Sequence, residues 1–423
     1  MNGPLKLVAP LAAALAIAAC NANSASNVPP TAGGQATTPA SSHFVPTWEA
    51  KHEARRACKD LAGGVSCHVL ISNFYKGPPP CNPSSTCGFT PSDLQTRYGL
   101  TSSLGKGAGT IVAVIELGDL PSASSDLSQY RSTYGLGTAS FTKYNESGQQ
   151  YNYPPSCSNY GFCLEEDLDI DMVSAACPQC TIYMIEGGNC GKDICGLENA
   201  EVTAVKLGAT IISNSWGCHT GVYGPNCGDP NFENYFNTPN IAYLASSGDS
   251  GYNEIEWPAA LQNVLAVGGT QLEKSGSNFT ETVWDGAGAG CATTITKPSW
   301  QHDPLCSGRT ISDISAQSGC SPGVAVYEAG YGGWTSVCGT SVASPLTAGI
   351  VALAGNASSI YGGQTFWQLS TKKHRKLLHV IKSGSDGSCG NTYLCEAGAP
   401  KGSNYKTYDG PAGWGSPNGI KAY

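Results

Sequence analysis

Cys338-Gly-Thr-Ser-Val-Ala-Ser-Pro345 follows a glycine-rich turn (Gly330, Gly332, Gly333) and runs into an apolar stretch, Leu346 to Leu353. Small residues followed by an apolar run spell a tight turn at the mouth of a long helix, expected from Ser341 to about Ala357. Such a turn presents the Ser341 hydroxyl outward, and the helix N-terminus supplies unpaired N–H groups and a positive dipole beside it. Both favour a serine nucleophile and the oxyanion it creates. An N-cap serine with no chemistry uses the same residues. The rest of the chain has to decide between the two.

Upstream of this turn, strands and helices alternate. Thr110 to Leu117 (TIVAVIEL) is a buried strand by length and β-branching. Strands are also expected at Thr181–Glu186, Thr210–Trp216, Ile241–Ala245 and Val264–Gly268, and helices at Ser124–Tyr134, Glu165–Ala176 and Ile194–Leu207. This alternation argues for an α/β fold, a doubly wound and mostly parallel sheet with helices on both faces. Sites in such sheets collect at the carboxyl ends of strands. Ser215-Trp216-Gly217 and Ser247-Gly248-Asp249 stand at ends of that kind.

The chain has 423 residues, 40% hydrophobic and only 13% charged, with 53 Gly and 26 Pro. That composition describes a loop-rich globular protein with a large core. A net charge of −8 removes the electrostatic case for nucleic acid. Residues 1–20 have the form of a signal peptide: Lys6, then an apolar run from Leu7 to Ala19 that is too short to span a bilayer. Ile-Ala-Ala-Cys20 is similar to a bacterial lipobox, which would make Cys20 a lipidated first residue and the membrane's only hold on the chain. Removing Cys20 from the 19 cysteines leaves 18, which divide into sequence neighbours: 58/67, 81/87, 157/163, 177/180, 190/195, 218/227, 291/306, 320/338 and 389/395. An even, local set fits disulfides in an oxidising compartment. Export is therefore expected, either as a secreted or as an envelope-anchored bacterial protein. Residues 21–47 read as a flexible linker. Residues 48–88 read as a short segment with cysteine loops and one helix between Glu49 and Lys59, and 89–423 as the main domain.

A serine nucleophile needs a general base within hydrogen-bond reach. None of the seven histidines stands in a helix-opening His-Gly context; His43, His52 and His68 precede the main domain, and all seven read as surface or loop residues. Carboxylates do better. Glu165-Glu-Asp-Leu-Asp-Ile-Asp171 packs five acids into seven residues at a helix start. The i, i+4 spacing puts Glu165 and Asp169 on one face. Two carboxylates that close cannot both ionise easily, so one becomes a tuned base and the other its orienting group. Asp249 is a candidate oxyanion donor, and a carboxyl donates only when protonated. The combination predicts activity in acid.

Together these residues resemble the sedolisin family of serine-carboxyl peptidases, relatives of the subtilisins with a subtilisin-like fold. Glu165-x-x-x-Asp169, Ser213-Asn-Ser-Trp-Gly217, Ser246-Ser-Gly-Asp249 and Gly339-Thr-Ser341 carry the resemblance, in family order, over about Phe89 to Tyr423. A subtilisin would have Asp where Glu116 stands, and a later helix-opening His. The resemblance implies a monomeric endopeptidase acting on protein or peptide substrates through an acyl-enzyme. Its nucleophile would be Ser341, its base Glu165, its orienting acid Asp169, its oxyanion donor Asp249 and its supporting acid Asp167. Ser215, Trp216 and Gly217 would pair with an extended substrate as an added strand.

Three departures accompany it. Only about 68 residues separate Cys20 from Phe89, where the family has a large prodomain. The family's calcium site near the carboxyl end is matched by Asp409, but Val380 stands where the first Asp ligand is expected, a loss that should weaken calcium. Cys338 stands directly before Gly339, where a bond to Cys320 would pin the nucleophile turn. The first two motivate the alternative reading: a weak or inactive envelope lipoprotein that uses the fold for binding.

Overall fold

The computed structural model describes residues 44–59, 64–75, 80–188, 195–219, 231–369, 371–398 and 407–423, with positions 1, 3, 61, 227 and 229. Apart from Met1 and Gly3, the expected signal peptide, Cys20 and residues 21–43 of the expected linker lie outside them. No helix among the described residues is long and apolar enough to cross a membrane.

The body from Phe44 to Tyr423 begins with a short helix, α1 (Thr47–Ala50), and strands β1 (Ala54–Arg56), β2 (Val65–Cys67) and β3 (Leu70–Ser72). Helix α2 (Pro91–Arg97) precedes the layered core. There follow β4 (Ile111–Leu117), α3 (Ala123–Tyr134), β5 (Ser140–Asn145), α4 (Cys163–Ala176), β6 (Thr181–Gly187), α5 (Cys195–Lys206), β7 (Ile211–Asn214), β8 (Trp216–His219), β9 (Ala242–Ser246), β10 (Glu256–Trp257), β11 (Val264–Ser275) and β12 (Asn278–Val283). The main sheet runs β12-β11-β9-β7-β4-β6-β5, with strand Ile314–Gln317 also on β11. All its pairings are parallel except the β11–β12 hairpin. β4 is buried along almost its whole length, as a continuous apolar run predicts for a sheet covered on both faces. The expected doubly wound fold is the observed one.

Helix Thr340–Ala354 packs against α4. The crossing is close because Gly349 has no side chain: a Cβ there would lie 2.6 Å from the Ala176 Cβ and 3.2 Å from the Val173 carbonyl oxygen. This crossing sets the acidic helix and the helix that carries Ser341 side by side.

Among the described residues, eight disulfides join sequence neighbours: 58–67, 81–87, 157–163, 177–180, 218–227, 291–306, 320–338 and 389–395. Each matches the local pairing; the expected Cys190–Cys195 pair lies outside what is described. Other expectations shift. Glu49–Lys59 is not one helix, because Ala54–Arg56 leaves to pair antiparallel with β3, Ala54 opposite Ser72. Thr210–Trp216 is not one strand. The chain turns out of the parallel sheet at Ser215, and β8 joins a second sheet, β10-β8-β2. Val264–Gly268 continues to Ser275 because β12 folds back on it.

Candidate active site

The carboxyl ends of β4, β7 and β9 and the starts of α4 and helix Thr340–Ala354 converge on Ser341. Glu165, Asp169, Asp249 and Ser341 are all fully buried. The Ser341 hydroxyl lies 2.8 Å from Glu165 Oε2, to which it can donate, and 3.2 Å from the Ser215 carbonyl oxygen. The Ser215 hydroxyl donates to Asp169 Oδ1 at 2.7 Å. Proposed nucleophile, proposed base and proposed orienting acid thus form one connected cluster. Burial, and then the neighbouring Asp169 charge, hold Glu165 well above the usual carboxylate range. Burial pushes Asp169 up to about 8, against hydrogen bonds that favour its charged form. Glu116, at the end of β4, lies in the same acidic group, and burial and the Asp169 charge raise it too.

Asp249 follows Gly248, whose φ of 112° turns the chain sharply at the end of β9. Its Oδ1 accepts from the Thr340 N–H at 2.8 Å and from the Thr340 hydroxyl at 2.9 Å. Its Oδ2 is buried with no hydrogen-bond partner among the described residues. Burial lifts Asp249 to about 6, so below that pH it carries a proton.

The cleft over these groups is filled by the chain itself. β2 pairs antiparallel with β8, placing Val65 opposite Cys218, Ser66 opposite Gly217 and Cys67 opposite Trp216. The His68 N–H donates to the Ser215 carbonyl at 3.1 Å, and the Ser341 N–H reaches the His68 carbonyl oxygen at 3.4 Å. Beyond it, β3 pairs with strand Gly333–Cys338, Leu70 opposite Cys338. A Cβ on Gly339, where φ is 111°, would lie 2.0 Å from the His68 carbonyl oxygen and 2.7 Å from Asp249 Oδ2. The Asp249 carboxyl and the peptide carbonyl that faces the Ser341 N–H therefore both crowd Gly339. Ser215, Trp216 and Gly217 do carry an added antiparallel strand, and it is residues 65–67 of this chain.

His68 is thus no surface histidine. It is buried, with Nδ1 2.6 Å from Ser246 Oγ and Nε2 2.5 Å from Glu256 Oε2. Position before the main domain misled the reading. The signal that would have found it is local: Val65–Cys67 and Val69–Ser72 are short β-type runs flanking His68. Asp167 is not brought to Ser341. It joins Asp126 and Glu328, one carboxylate oxygen from each lying within 4.8 Å of the others, a spacing that a cation could bridge.

Near the carboxyl end, Asp409 is buried and its Oδ1 accepts from the Ala412 N–H at 2.9 Å. Val380 offers no side-chain ligand oxygen. Asp386 does: both its carboxylate oxygens are buried and accept no hydrogen bond from another described side chain or backbone. Burial, then the Asp409 and Asp285 charges, raise it well above the usual range. Two buried carboxyls, Asp386 with both oxygens unused, offer hard oxygen ligands of the kind a hard cation takes.

The sequence model of the Subtilase family matches residues 137–411. Sedolisin of Pseudomonas sp. (strain 101) is 28% identical over 78% of this chain and 60% of its own length. Kumamolisin of Bacillus sp. (strain MN-32) is 29% identical over 79% of this chain and 62% of its own length. The chain therefore spans about three fifths of the length of these relatives. Among solved structures, Pseudomonas sedolisin, a serine-carboxyl proteinase complexed with two molecules of pseudo-iodotyrostatin, superposes with a TM-score of 0.66 at 26% identity, over 79% of this chain and 96% of that one.

Proposed function

Because this chain belongs to the subtilase family and is similar to its serine-carboxyl members, we propose that it is a serine-carboxyl endopeptidase hydrolysing peptide bonds in acid through an acyl-enzyme. The observation that carries this is the Ser341 hydroxyl, 2.8 Å from Glu165 Oε2, at the point where a peptide carbonyl meets Asp249. Ser341 Oγ attacks that carbonyl carbon as its proton passes to Glu165. The oxyanion forms beside Asp249, whose protonated Oδ2 donates to it together with the Ser341 N–H. Glu165 returns the proton to the leaving amine, and water then repeats the sequence on the ester. Asp169, tied to Ser215, orients the pair. Emptying the cleft readmits water to Glu165 and lowers its raised pKa toward the acid range in which it must be ionised to act.

Polypeptides are the substrates, a monomer is the working unit, and the disulfides suit a site of action outside the cytoplasm. Attachment through Cys20 is the narrower form of that location. Calcium would be held by Asp386 and Asp409. Asp386 also removes one motive for a binding-only protein, the missing carboxylate at Val380. The experiment is hydrolysis of a denatured protein from pH 3 to 8. Cleavage in acid that vanishes in Ser341→Ala supports the proposal, whereas an optimum above pH 7 sinks the carboxyl-base mechanism.

A further inference from the structure

The pocket next to Ser341 is built around one kind of side chain. Ser246 Oγ lies 2.6 Å from His68 Nδ1 and 3.3 Å from the Asn214 carbonyl oxygen; with its proton directed to that carbonyl it can accept from an Nδ1–H. On the opposite edge of the ring, Nε2 faces the Glu256 carboxylate. Ser246 and Glu256 are themselves almost completely buried. An imidazolium, with N–H groups on both edges, satisfies both partners at once. Two glycines make the room. A Cβ at Gly217 would lie 2.1 Å from Glu256 Oε2 and 2.7 Å from His68 Cε1, and one at Gly248 would lie 2.9 Å from Glu256 Oε1.

None of these four residues belongs to the segment that carries His68. They come from β8, β9, the turn after β9, and β10, so the pocket is available to any peptide laid in the same register. The register is that of a substrate: Ser66 is opposite Gly217, the His68 N–H is on Ser215, and the His68 carbonyl is at the Ser341 N–H. The bond presented to the nucleophile is His68–Val69.

We propose that Ser246 and Glu256 make this pocket specific for histidine, so that the enzyme cuts peptides on the carboxyl side of histidine, with His68–Val69 of its own chain as the first such bond. The proposal rests on the peptidase reading above. In that first cut, Ser341 Oγ bonds to the His68 carbonyl carbon and its proton goes to Glu165. The C–N bond to Val69 breaks, and the Val69 nitrogen leaves as an amine carrying that proton. Water then hydrolyses the ester to a His68 carboxyl. Discrimination arises as in other sites built to hydrogen-bond a substrate group. A side chain without both donors leaves the buried Glu256 oxygen and the Ser246 hydroxyl short of one bond each.

The test follows the full-length protein at pH 4 by intact mass and amino-terminal sequencing. It also assays quenched peptides that differ only in the residue before the cut: His, Lys, Arg, Leu, Phe or Glu. The expected result is a new amino terminus at Val69, absent in Ser341→Ala. The kcat/KM after histidine should exceed each of the others by about tenfold or more, and Glu256→Gln should lower the His-to-Leu ratio by a similar factor. If Glu256→Gln does not fold, Ser246→Ala reads the same ratio from the Nδ1 side. Peptide cleavage without a histidine preference, or equally fast after lysine or arginine, overturns the proposal and leaves the peptidase reading standing. No cleavage of any peptide or of the chain itself from pH 3 to 8 overturns both.

Discussion

In the proposed mechanism Asp249 uses its two oxygens differently. Oδ1 is fixed by Thr340, while Oδ2 can act only when it holds a proton. Since burial places this group at about 6, kcat/KM should fall as pH rises through that value. Asparagine keeps the acceptor at Oδ1 and offers a non-titrating N–H in place of Oδ2. The Asp249→Asn protein should therefore retain activity in acid and lose the fall near pH 6, read from pH profiles of both proteins. A profile that still bends there assigns the titration to another group. At this scale the sequence was legible where spacing on one element sufficed, as for Glu165 and Asp169. It was illegible where partners come from distant segments: His68 meets Ser246 and Glu256, 178 and 188 residues away. Glu116 and Asp386 escaped for the same reason, since each becomes part of a group only once separate segments are packed together.

At the scale of elements, long apolar strands and strongly patterned helices were legible, because one element dictates its own period. The Ser215 break between β7 and β8 was not, since nothing in Thr210–Trp216 marks where the chain leaves one sheet for another. The strand before the proposed nucleophile, Gly333–Cys338, is held by β3 on one side, by strand Val324–Glu328 on the other, and by the Cys320–Cys338 bond across 18 residues. A loop of that length contributes about 3 kcal/mol in the chain-entropy account. Replacing both cysteines by serine should lower stability by about that amount in denaturant titration and, by loosening Gly339, reduce kcat more than it raises KM. Unchanged kcat would mean that the pairing of this strand with its two neighbours positions the turn without the disulfide.

Over the whole molecule, buried carboxyls set the response to pH. Burial raises Asp249 to about 6, Glu186 to about 7, and Asp169, Glu201 and Asp409 to about 8. In the unfolded chain such groups titrate near 4, roughly. Between those limits the folded state binds more protons than the unfolded one, so stability falls as pH rises from about 4 toward 8, and the loss is complete above the folded values. The melting temperature should accordingly be highest near pH 4 and decline steadily to pH 8; a flat or rising curve contradicts the burial of this cluster. If Asp386 and Asp409 hold calcium, a chelator should lower the melting temperature at pH 7 but not at pH 4, where protons displace the ion, and Asp386→Asn should abolish the difference.

The pairing of β1 with β3 has one more consequence. These strands lie on opposite sides of the His68–Val69 bond, Ala54 opposite Ser72, and Cys58–Cys67 anchors the upstream side. A cut at that bond leaves both new ends clasped to the same body, at an effective concentration on the order of millimolar. Dilution cannot free such a cleft, and religation competes with release. The half-time for acquiring activity should therefore stay constant over a hundredfold range of protein concentration, and shorten when β1 is destabilised.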